Sequence, residues 1–279
     1  MNATTSNNNA ACLNCGAELA TTDRYCPACG QQVLGTDARH FSTLAKSSLK
    51  EVTSLDGRVL PSFWHLIAKP GSLTRAYIIG QRSRFLKPIS VFLMANLLFF
   101  LAPTLSDFNI TLYDQYTLQP YSSWISGWID AAVNASGQSF GEVAAAYNER
   151  VRDIAKIMVI VHVPFLAVVS FLAGFDRRYL FADHVVAMLH LVSFQMLYHL
   201  ALPFLGDLVS LLVSSEWRPI GWRIVGLLRL IYIPIMVYVA FRFRWYRVIV
   251  VSICLIPALY FAHTAFRFIQ FCVVFGLVS

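Results

Sequence analysis

Five long apolar runs, separated by shorter polar segments, dominate the chain from residue 88 onward. They lie near 88–105, 155–174, 183–203, 222–241 and 246–270. Because a helix needs about 20 residues to cross the roughly 30 Å hydrocarbon core of a bilayer, each run is long enough to span a membrane, the first only marginally. A sixth apolar piece, 208–213, is too short to cross and is predicted to lie at the interface. The pattern predicts a mainly α fold, a five-span transmembrane helical bundle.

Two shorter stretches before the first run have the periodicity of amphipathic helices. Over 41–55, apolar residues recur at helical spacing opposite charged and hydroxyl residues. A second stripe covers 59–67 and stops at 69–71, where proline and glycine end the helical pattern, and Ser72 is the predicted N-cap of a short third helix. The basic flanks and Trp64 suit cytoplasmic amphipathic helices in the headgroup layer. Packing of these helices on the chain's own membrane domain is the alternative.

The composition also indicates that much of the chain lies in a lipid bilayer. Of 279 residues, 57% are hydrophobic and 13% are charged, against about a quarter charged in ordinary soluble domains. The first twelve residues are polar and lack the apolar core of a secretory signal peptide, so the first forty residues are predicted to stay in the cytoplasm. Thiols there remain reduced and able to bind metal.

Basic residues are concentrated on one side of the predicted membrane. The segment 37–88 carries nine Lys and Arg against three acidic residues, which suits an anionic lipid surface. Nucleic acid is excluded as a partner, because no aromatic platform or recognition motif accompanies this charge. With the N-terminus inside, cytoplasmic segments hold ten basic residues and outer segments four, which agrees with the positive-inside rule. Five spans then place the C-terminus outside.

The connection between the first two spans is predicted to be an extracytoplasmic insert, 106–154. Six acidic residues against two arginines give it a net negative charge over 106–153. Ser139 and Glu142 form a capping-box pattern that opens a helix running into the second span. The insert is predicted either to cover the outer mouth of the bundle or to serve as an ordinary connector.

The most specific motif is a pair of Cys-x-x-Cys-Gly turns. Cys12, Cys15, Cys26 and Cys29 give the spacing C-x2-C-x10-C-x2-C. Four thiolates on two tight turns form the tetrahedral cage that a closed structural Zn²⁺ site requires. Paired disulfides need an oxidising compartment, a rubredoxin-like iron cage needs a longer insert, and catalytic zinc needs an open position. The motif predicts a zinc ribbon with one structural zinc ion.

The predicted organisation has three parts. Residues 1–36 form the zinc ribbon with a disordered N-terminal tail, 37–87 form the amphipathic helices, and 88–279 form the transmembrane bundle. The ribbon is too short for a hydrophobic core, so metal binding supplies most of its folding free energy. Its slightly negative charge favours a protein-docking or regulatory head, with an inert fold as the alternative.

Four polar side chains are predicted to lie at similar depth in the outer half of the membrane. Helical rise places His162, His199 and His263 near the outer ends of their spans and Arg229 two turns inside its span. A charged residue inside a span is costly and usually faces a bundle interior or wet cavity, so Arg229 is the best functional candidate. Asp207, a hydrated pocket or a bound anion would offset its charge. For the histidines, a single structural hydrogen bond is the simplest alternative.

Two motifs near the N-terminus occur together in a known family. The first is the ribbon, with Gln31 directly after its last glycine. The second consists of Leu55-Asp56, Pro70-Gly71 and Tyr77-Ile78-x-Gly80-x-Arg82-x-Arg84-Phe85-x-x-Pro88. Together they resemble an uncharacterised bacterial family of polytopic inner-membrane proteins with an N-terminal zinc ribbon. The resemblance implies a bacterial inner-membrane location and the architecture predicted above, and it implies no activity.

Three functions are compatible with these features. The first is a non-enzymatic membrane protein whose ribbon docks a cytoplasmic protein partner or acts as a regulatory module. It is favoured because the four-cysteine site is closed and no catalytic motif is present. The second is a small transporter or channel subunit with a polar pocket around Arg229 and the three histidines. The third is a membrane enzyme acting on a lipid or envelope precursor. Arg267 and Gln270 either extend the polar cluster or reach the headgroups. The sequence carries no signal of oligomeric state.

Overall fold

The computed structural model describes residues 10–33, 57–101 and 108–278. A two-stranded antiparallel sheet, β1 (Ala10–Ala11) with β2 (Glu18–Leu19), lies in the ribbon. The helices are α1 (Val59–Ala68), α2 (Ser72–Ile78), α3 (Pro88–Leu101), α4 (Leu112–Thr117), α5 (Ser122–Ser136), α6 (Phe140–Met158), α7 (His162–Ala173), α8 (Phe181–Leu212), α9 (Arg218–Phe241) and α10 (Trp245–Phe275). The tail before residue 10 and the amphipathic helix predicted over 41–55 lie outside the described residues.

Four helices are long and apolar enough to cross a membrane. They are Phe140–Ala173, Phe181–Leu212, Pro219–Phe241 and Trp245–Phe275. They coincide with the second to fifth predicted spans, so the chain is a multi-pass membrane protein. The first predicted span coincides with α3, whose 14 residues measure about 21 Å at 1.5 Å per residue. Its continuation at 102–107 lies outside the described residues, and the count of five spans stays a prediction.

The predicted capping box at the start of α6 is confirmed. The backbone N–H of Glu142 donates to the Ser139 hydroxyl at 3.3 Å, and the Ser139 N–H donates to the Glu142 carboxylate at 2.7 Å. A 3-10 turn at Val159–Val161 joins α6 to α7 without a break in direction. The last part of the insert, from Phe140, and the second span therefore belong to one long helix, as the sequence predicted.

The apolar piece at 208–213 is continuous with the third predicted span, and its place at the interface stays a prediction. It forms the last turns of α8, which continues through Pro203 to Leu212 over 32 residues. At 1.5 Å per residue this helix measures about 48 Å, well beyond the roughly 30 Å hydrocarbon core. Helix α8 is therefore too long for both of its ends to lie within the core.

Helices α1 and α2 form a hairpin that packs against the bundle. The turn is at Gly71, which has φ 78° and is the N-cap of α2 in place of the predicted Ser72. A Cβ at this glycine would lie 2.4 Å from the backbone oxygen of Met236 on α9, so only glycine fits. The Tyr232 hydroxyl on α9 donates to the Leu66 carbonyl at 2.7 Å. The hairpin is thus fixed to α9 on both sides of its turn.

The two faces of α1 have different surroundings. Ser62 and Leu66 are buried against the rest of the protein. Leu60, Trp64 and Ile67, one and two turns apart, are exposed. Part of the predicted apolar stripe therefore packs on the membrane domain, and part of it faces outward.

Helices α4, α5 and the first part of α6 form a small unit, here called the cap, at one end of the bundle. Its apolar core includes Leu112, Ile125, Ile129 and Tyr147, together with residues near the end of α10. The buried Gln115 accepts a hydrogen bond from the Tyr121 hydroxyl at 2.8 Å and donates to the Tyr147 hydroxyl at 3.3 Å. The insert is therefore a folded cap on the bundle.

At the opposite end of the bundle, here called the ribbon end, an ion-pair cluster joins the loop between α7 and α8 to the first turn of α10. The Asp176 carboxylate accepts hydrogen bonds from Arg178 at 2.8 Å and from Arg247 at 2.9 Å. The Arg178 guanidinium and backbone N–H lower the pKa of Asp176 to about 2. Since the folded-state pKa is depressed, this contribution to stability is present at neutral pH and is lost as the pH falls through about 2.

Candidate functional site

The two Cys-x-x-Cys-Gly turns have the same local geometry. The Gly16 N–H donates to the Cys12 carbonyl, and the Gly30 N–H donates to the Cys26 carbonyl, each at 2.8 Å. Both glycines have positive φ, at 77° and 70°, which a residue with a side chain rarely adopts. Each turn therefore directs its two thiols to the same side, toward the other turn.

The four thiols converge on one point. The Sγ atoms of Cys12, Cys15, Cys26 and Cys29 all lie within 4.8 Å of one another. The sulfurs of Cys12 and Cys29 are 3.7 Å apart, and those of Cys15 and Cys26 are 3.6 Å apart. A tetrahedral zinc with Zn–S bonds of about 2.3 Å separates its sulfurs by about 3.8 Å. The cage has the dimensions of a four-thiolate zinc site.

The chemistry of these donors also fits zinc. None of the four cysteines is in a disulfide. The backbone N–H of Gln31 lowers the pKa of the Cys29 thiol to about 6, which favours the thiolate that binds metal. Four sulfur ligands leave no open coordination position, so the bound ion would hold the ribbon together structurally.

Gln31 joins the ribbon to the loop between α2 and α3. Its side chain is buried, and its Nε2 donates to the Gly80 carbonyl at 2.8 Å. Its Oε1 accepts from the backbone N–H groups of Arg82 at 2.9 Å and Ser83 at 3.2 Å. Leu13, on the other turn, lies so close to Gly80 that a Cβ there would be 2.6 Å from its Cδ1. Both turns of the ribbon therefore contact the same loop.

A second candidate site, here called the polar cavity, lies within the bundle on the cap side. It encloses about 370 Å³ between α7, α8, α9 and α10. The structure brings all four of the predicted polar residues, His162, His199, Arg229 and His263, to its wall. The other lining residues are Phe108, Val159, Val192, Gln195, Met196, Ile256, Leu259, Tyr260 and Arg267.

Backbone carbonyls fix the orientation of two imidazoles. His162 Nδ1 lies 2.9 Å from the Val159 carbonyl oxygen, and His199 Nδ1 lies 2.6 Å from the Gln195 carbonyl oxygen. A carbonyl only accepts, so each Nδ1 carries the hydrogen, and in the neutral ring Nε2 is an acceptor. His162 Nε2 is 3.4 Å from His263 Nδ1, which makes His263 the donor of that contact.

The histidines do not form a metal site. In the described ranges, the four cysteines are the group of three or more His, Cys, Asp and Glu side chains whose ligand atoms could share one ion. The imidazoles line the polar cavity together with Arg229, Arg267 and Gln195.

Both charged side chains among the described lining residues of the polar cavity are positive. Arg229 and Arg267 line it, and none of the described lining residues is acidic. Asp207, a predicted partner of Arg229, does not line the cavity, and no ion pair joins these two described residues. The Arg229 Nε has no hydrogen-bond partner within the described part of the chain. Within the described residues, no carboxylate of the cavity wall therefore compensates Arg229.

Two lining residues hold the cap over the polar cavity. Arg267 Nη1 donates to the Gln119 side chain of the cap at 3.2 Å. Phe108, directly before α4, lines the cavity, and its carbonyl accepts from the Gln270 side chain at 3.0 Å. Arg267 thus extends the predicted polar cluster, whereas Gln270 does not line the cavity.

Gln195 is the lining residue that the sequence did not indicate. Its side chain is only 8% exposed, and neither Oε1 nor Nε2 has a hydrogen-bond partner among the described residues. The sequence signal, in hindsight, is an amide four residues before His199 inside an apolar run. That spacing places both side chains on one face of α8.

The fold and the metal centre define a multi-pass membrane protein with a zinc-ribbon head. A zinc-ribbon domain family matches residues 12–33, and a family described as "Protein of unknown function (DUF3667)" matches residues 56–100. The ribbon match and the cage fit one structural zinc ion. No curated protein and no solved structure matches the chain. Gln31 and its partner loop join the two matched regions.

Proposed function

We propose that this is a bacterial inner-membrane protein whose polar cavity binds a small anion, as a transporter or channel subunit would. The observation that carries the proposal is the convergence of Arg229, Arg267 and three imidazoles around one cavity that has no acidic side chain among its described lining residues. A guanidinium inside a span needs a compensating partner. An anion bound in the cavity would supply that partner to Arg229.

The binding test uses purified full-length protein in detergent. Equilibrium dialysis against labelled phosphate, sulfate and chloride, at constant ionic strength, is expected to show saturable binding of at least one anion with about one site per chain. A ligand present at a hundred times its Kd raises the free energy of unfolding by about 2.7 kcal/mol. The melting temperature should therefore rise with the same anion. Failure of all three anions to bind saturably would remove the proposal.

The proposed orientation places the ribbon in the cytoplasm and the cap outside. Five crossings, with parts 1–36, 37–87 and 88–279, then put the C-terminus outside. This orientation is supported by the basic residues of the ribbon end, Arg178 and Arg247 among them, and by the net negative charge of 106–153.

Reporter fusions measure this topology. An enzyme active only outside the cytoplasm is expected to be active when inserted after Gly137, in the turn between α5 and α6, or fused at the C-terminus. It should be inactive when inserted at Arg177, in the loop before α8. An active Gly137 fusion beside an inactive C-terminal fusion would mean an even number of crossings.

A regulatory role for the ribbon is a second proposal, and the Gln31 contact favours it. Docking of a separate cytoplasmic partner was the first hypothesis from the sequence. In the structure, however, the Gln31 side of the ribbon contacts the chain's own loop at Gly80–Ser83. That loop connects α2, which packs on α8 and α9, to the start of α3. A change at the zinc site would therefore reach the membrane domain through the contacts of Gln31 and Leu13 with this loop.

A further inference from the structure

The amide of Gln195 points to the kind of anion that the polar cavity selects. It is buried in the cavity wall with its oxygen and its nitrogen both unpartnered within the described ranges. Buried polar groups in proteins are nearly always hydrogen-bonded. A ligand that satisfies this amide must offer a hydrogen to Oε1 and a lone pair to Nε2.

One of the imidazoles, that of His263, also leaves an acceptor for a hydrogen of the ligand. With Nδ1–H of His162 directed at the Val159 carbonyl, its Nε2 is an acceptor in the neutral ring, and it takes the hydrogen of His263 Nδ1. His263 then has its own acceptor, Nε2, on the other side of the ring. The cavity thus combines cationic guanidinium groups with hydrogen-bond acceptors.

A fully deprotonated anion can satisfy the hydrogen-bond donors of the cavity wall but not its acceptors. Sulfate and chloride can accept hydrogen bonds from Arg229. They have no hydrogen to donate to the Gln195 Oε1, so its lone pairs stay unsatisfied. Hydrogen phosphate carries oxygens for the guanidinium groups and an O–H for an acceptor. The two tetrahedral anions have nearly the same shape, so the hydrogen is what separates them.

We propose that the polar cavity selects a phosphoryl group that still carries a hydrogen, and that Gln195 accepts the hydrogen bond that this group donates. The inference rests on the proposed anion site. The cavity, at about 370 Å³, is larger than one phosphate ion. Ile256 and Tyr260 line it and are also exposed on the surface of α10. Free phosphate and the phosphomonoester headgroup of a lipid such as phosphatidic acid share the required chemistry.

The first test compares phosphate with sulfate on the wild-type protein at pH 6, where about half of a phosphomonoester also carries its hydrogen. Phosphate is expected to bind at least tenfold more tightly than sulfate. Equal affinities would overturn the inference and leave the anion site standing. Absence of binding by phosphate, sulfate and chloride alike would overturn the proposed function as well.

The second test uses Gln195→Met, which keeps the length of the side chain and removes its donor and acceptor. Phosphate affinity is expected to fall about tenfold and sulfate affinity less than threefold, so the two converge. Met188→Leu, at a buried residue of α8 that does not line the cavity, is the control and should leave the ratio unchanged. A Gln195→Met protein that folds and still prefers phosphate tenfold would overturn the role of Gln195.

Competition distinguishes the two sources of the phosphoryl group. Labelled phosphate is bound to protein in lipid nanodiscs of phosphatidylcholine, with or without one-tenth phosphatidic acid. Displacement by phosphatidic acid assigns the site to a lipid headgroup, and retention of phosphate assigns it to the free ion. Both outcomes support the shared chemistry, since each requires the hydrogen-bearing phosphoryl group.

Discussion

Replacing Arg229 by leucine is expected to abolish phosphate binding while the protein still inserts and folds. Within the described residues, the guanidinium lines a cavity with no acidic side chain in its wall and its Nε has no partner, so it is placed to hold the anion. Loss of one member of a buried charge pair costs about 2–5 kcal/mol, which is at least a thirtyfold loss of affinity. Equilibrium dialysis with labelled phosphate measures this loss.

Membrane insertion should improve in the same variant. A charged residue at the centre of a span costs about 2.5–3.5 kcal/mol on insertion scales, and leucine removes that cost. Arg229→Lys should recover only part of the binding, because an ammonium group cannot make the two parallel hydrogen bonds of a guanidinium. Arg223→Leu, on the exposed face of the same helix, is the control and should bind like the wild type. Wild-type affinity in Arg229→Leu would contradict the anion site.

Replacing Cys12 or Cys29 by serine is expected to remove the zinc and unfold the ribbon while the bundle remains intact. Purified wild-type protein should contain about one zinc per chain. Zinc binding supplies roughly 10–16 kcal/mol in zinc-finger peptides, far more than a ribbon of this size gains from its few buried side chains. Elemental analysis measures the metal, and Cys254→Ser, in the last span, is the matched control that should keep it. Zinc-free wild-type protein purified under reducing conditions would contradict the site.

The same variants test the coupling between the ribbon and the membrane domain. The amides of Arg82 and Ser83 donate to Gln31, so they should exchange hydrogen faster once the ribbon unfolds. Gln31→Leu should give the same increase with zinc still bound, since it removes the contact and leaves the cysteines. Hydrogen exchange followed by mass spectrometry measures the exchange rates of both amides in each variant. Unchanged protection of these two amides in all variants would contradict the regulatory proposal and would leave the zinc site unaffected.

Features encoded within a short stretch of sequence were predictable. Four of the helices follow from apolar length alone, because lipid requires about 20 apolar residues per crossing. The cage follows from cysteine spacing, and the start of α6 follows from Ser139 and Glu142. In each case the interacting residues are close in sequence, so no knowledge of the tertiary fold is needed.

Features that depend on tertiary contacts were not predictable. Helical rise predicts similar membrane depths for Arg229 and the histidines, but rotation about each helix axis decides whether they face one cavity. Gln195 gave no signal, because one amide in an apolar run is equally compatible with a structural role. The continuation of α8 to Leu212 was not predicted, because Asp207 interrupts the apolar run without interrupting the helix. Backbone hydrogen bonding, not apolarity, sets where a helix stops outside the lipid.

The contact between Gln31 and the loop at Gly80–Ser83 also has a consequence for biosynthesis. All four zinc ligands precede the first apolar run, so the ribbon can load its metal while later segments are still on the ribosome. The loop that receives Gln31 is held by α2, and α2 rests on α8 and α9, which are made more than a hundred residues later. We therefore expect the contact to reach its final geometry only after these helices have inserted. A chain with a misassembled bundle would then leave its ribbon undocked.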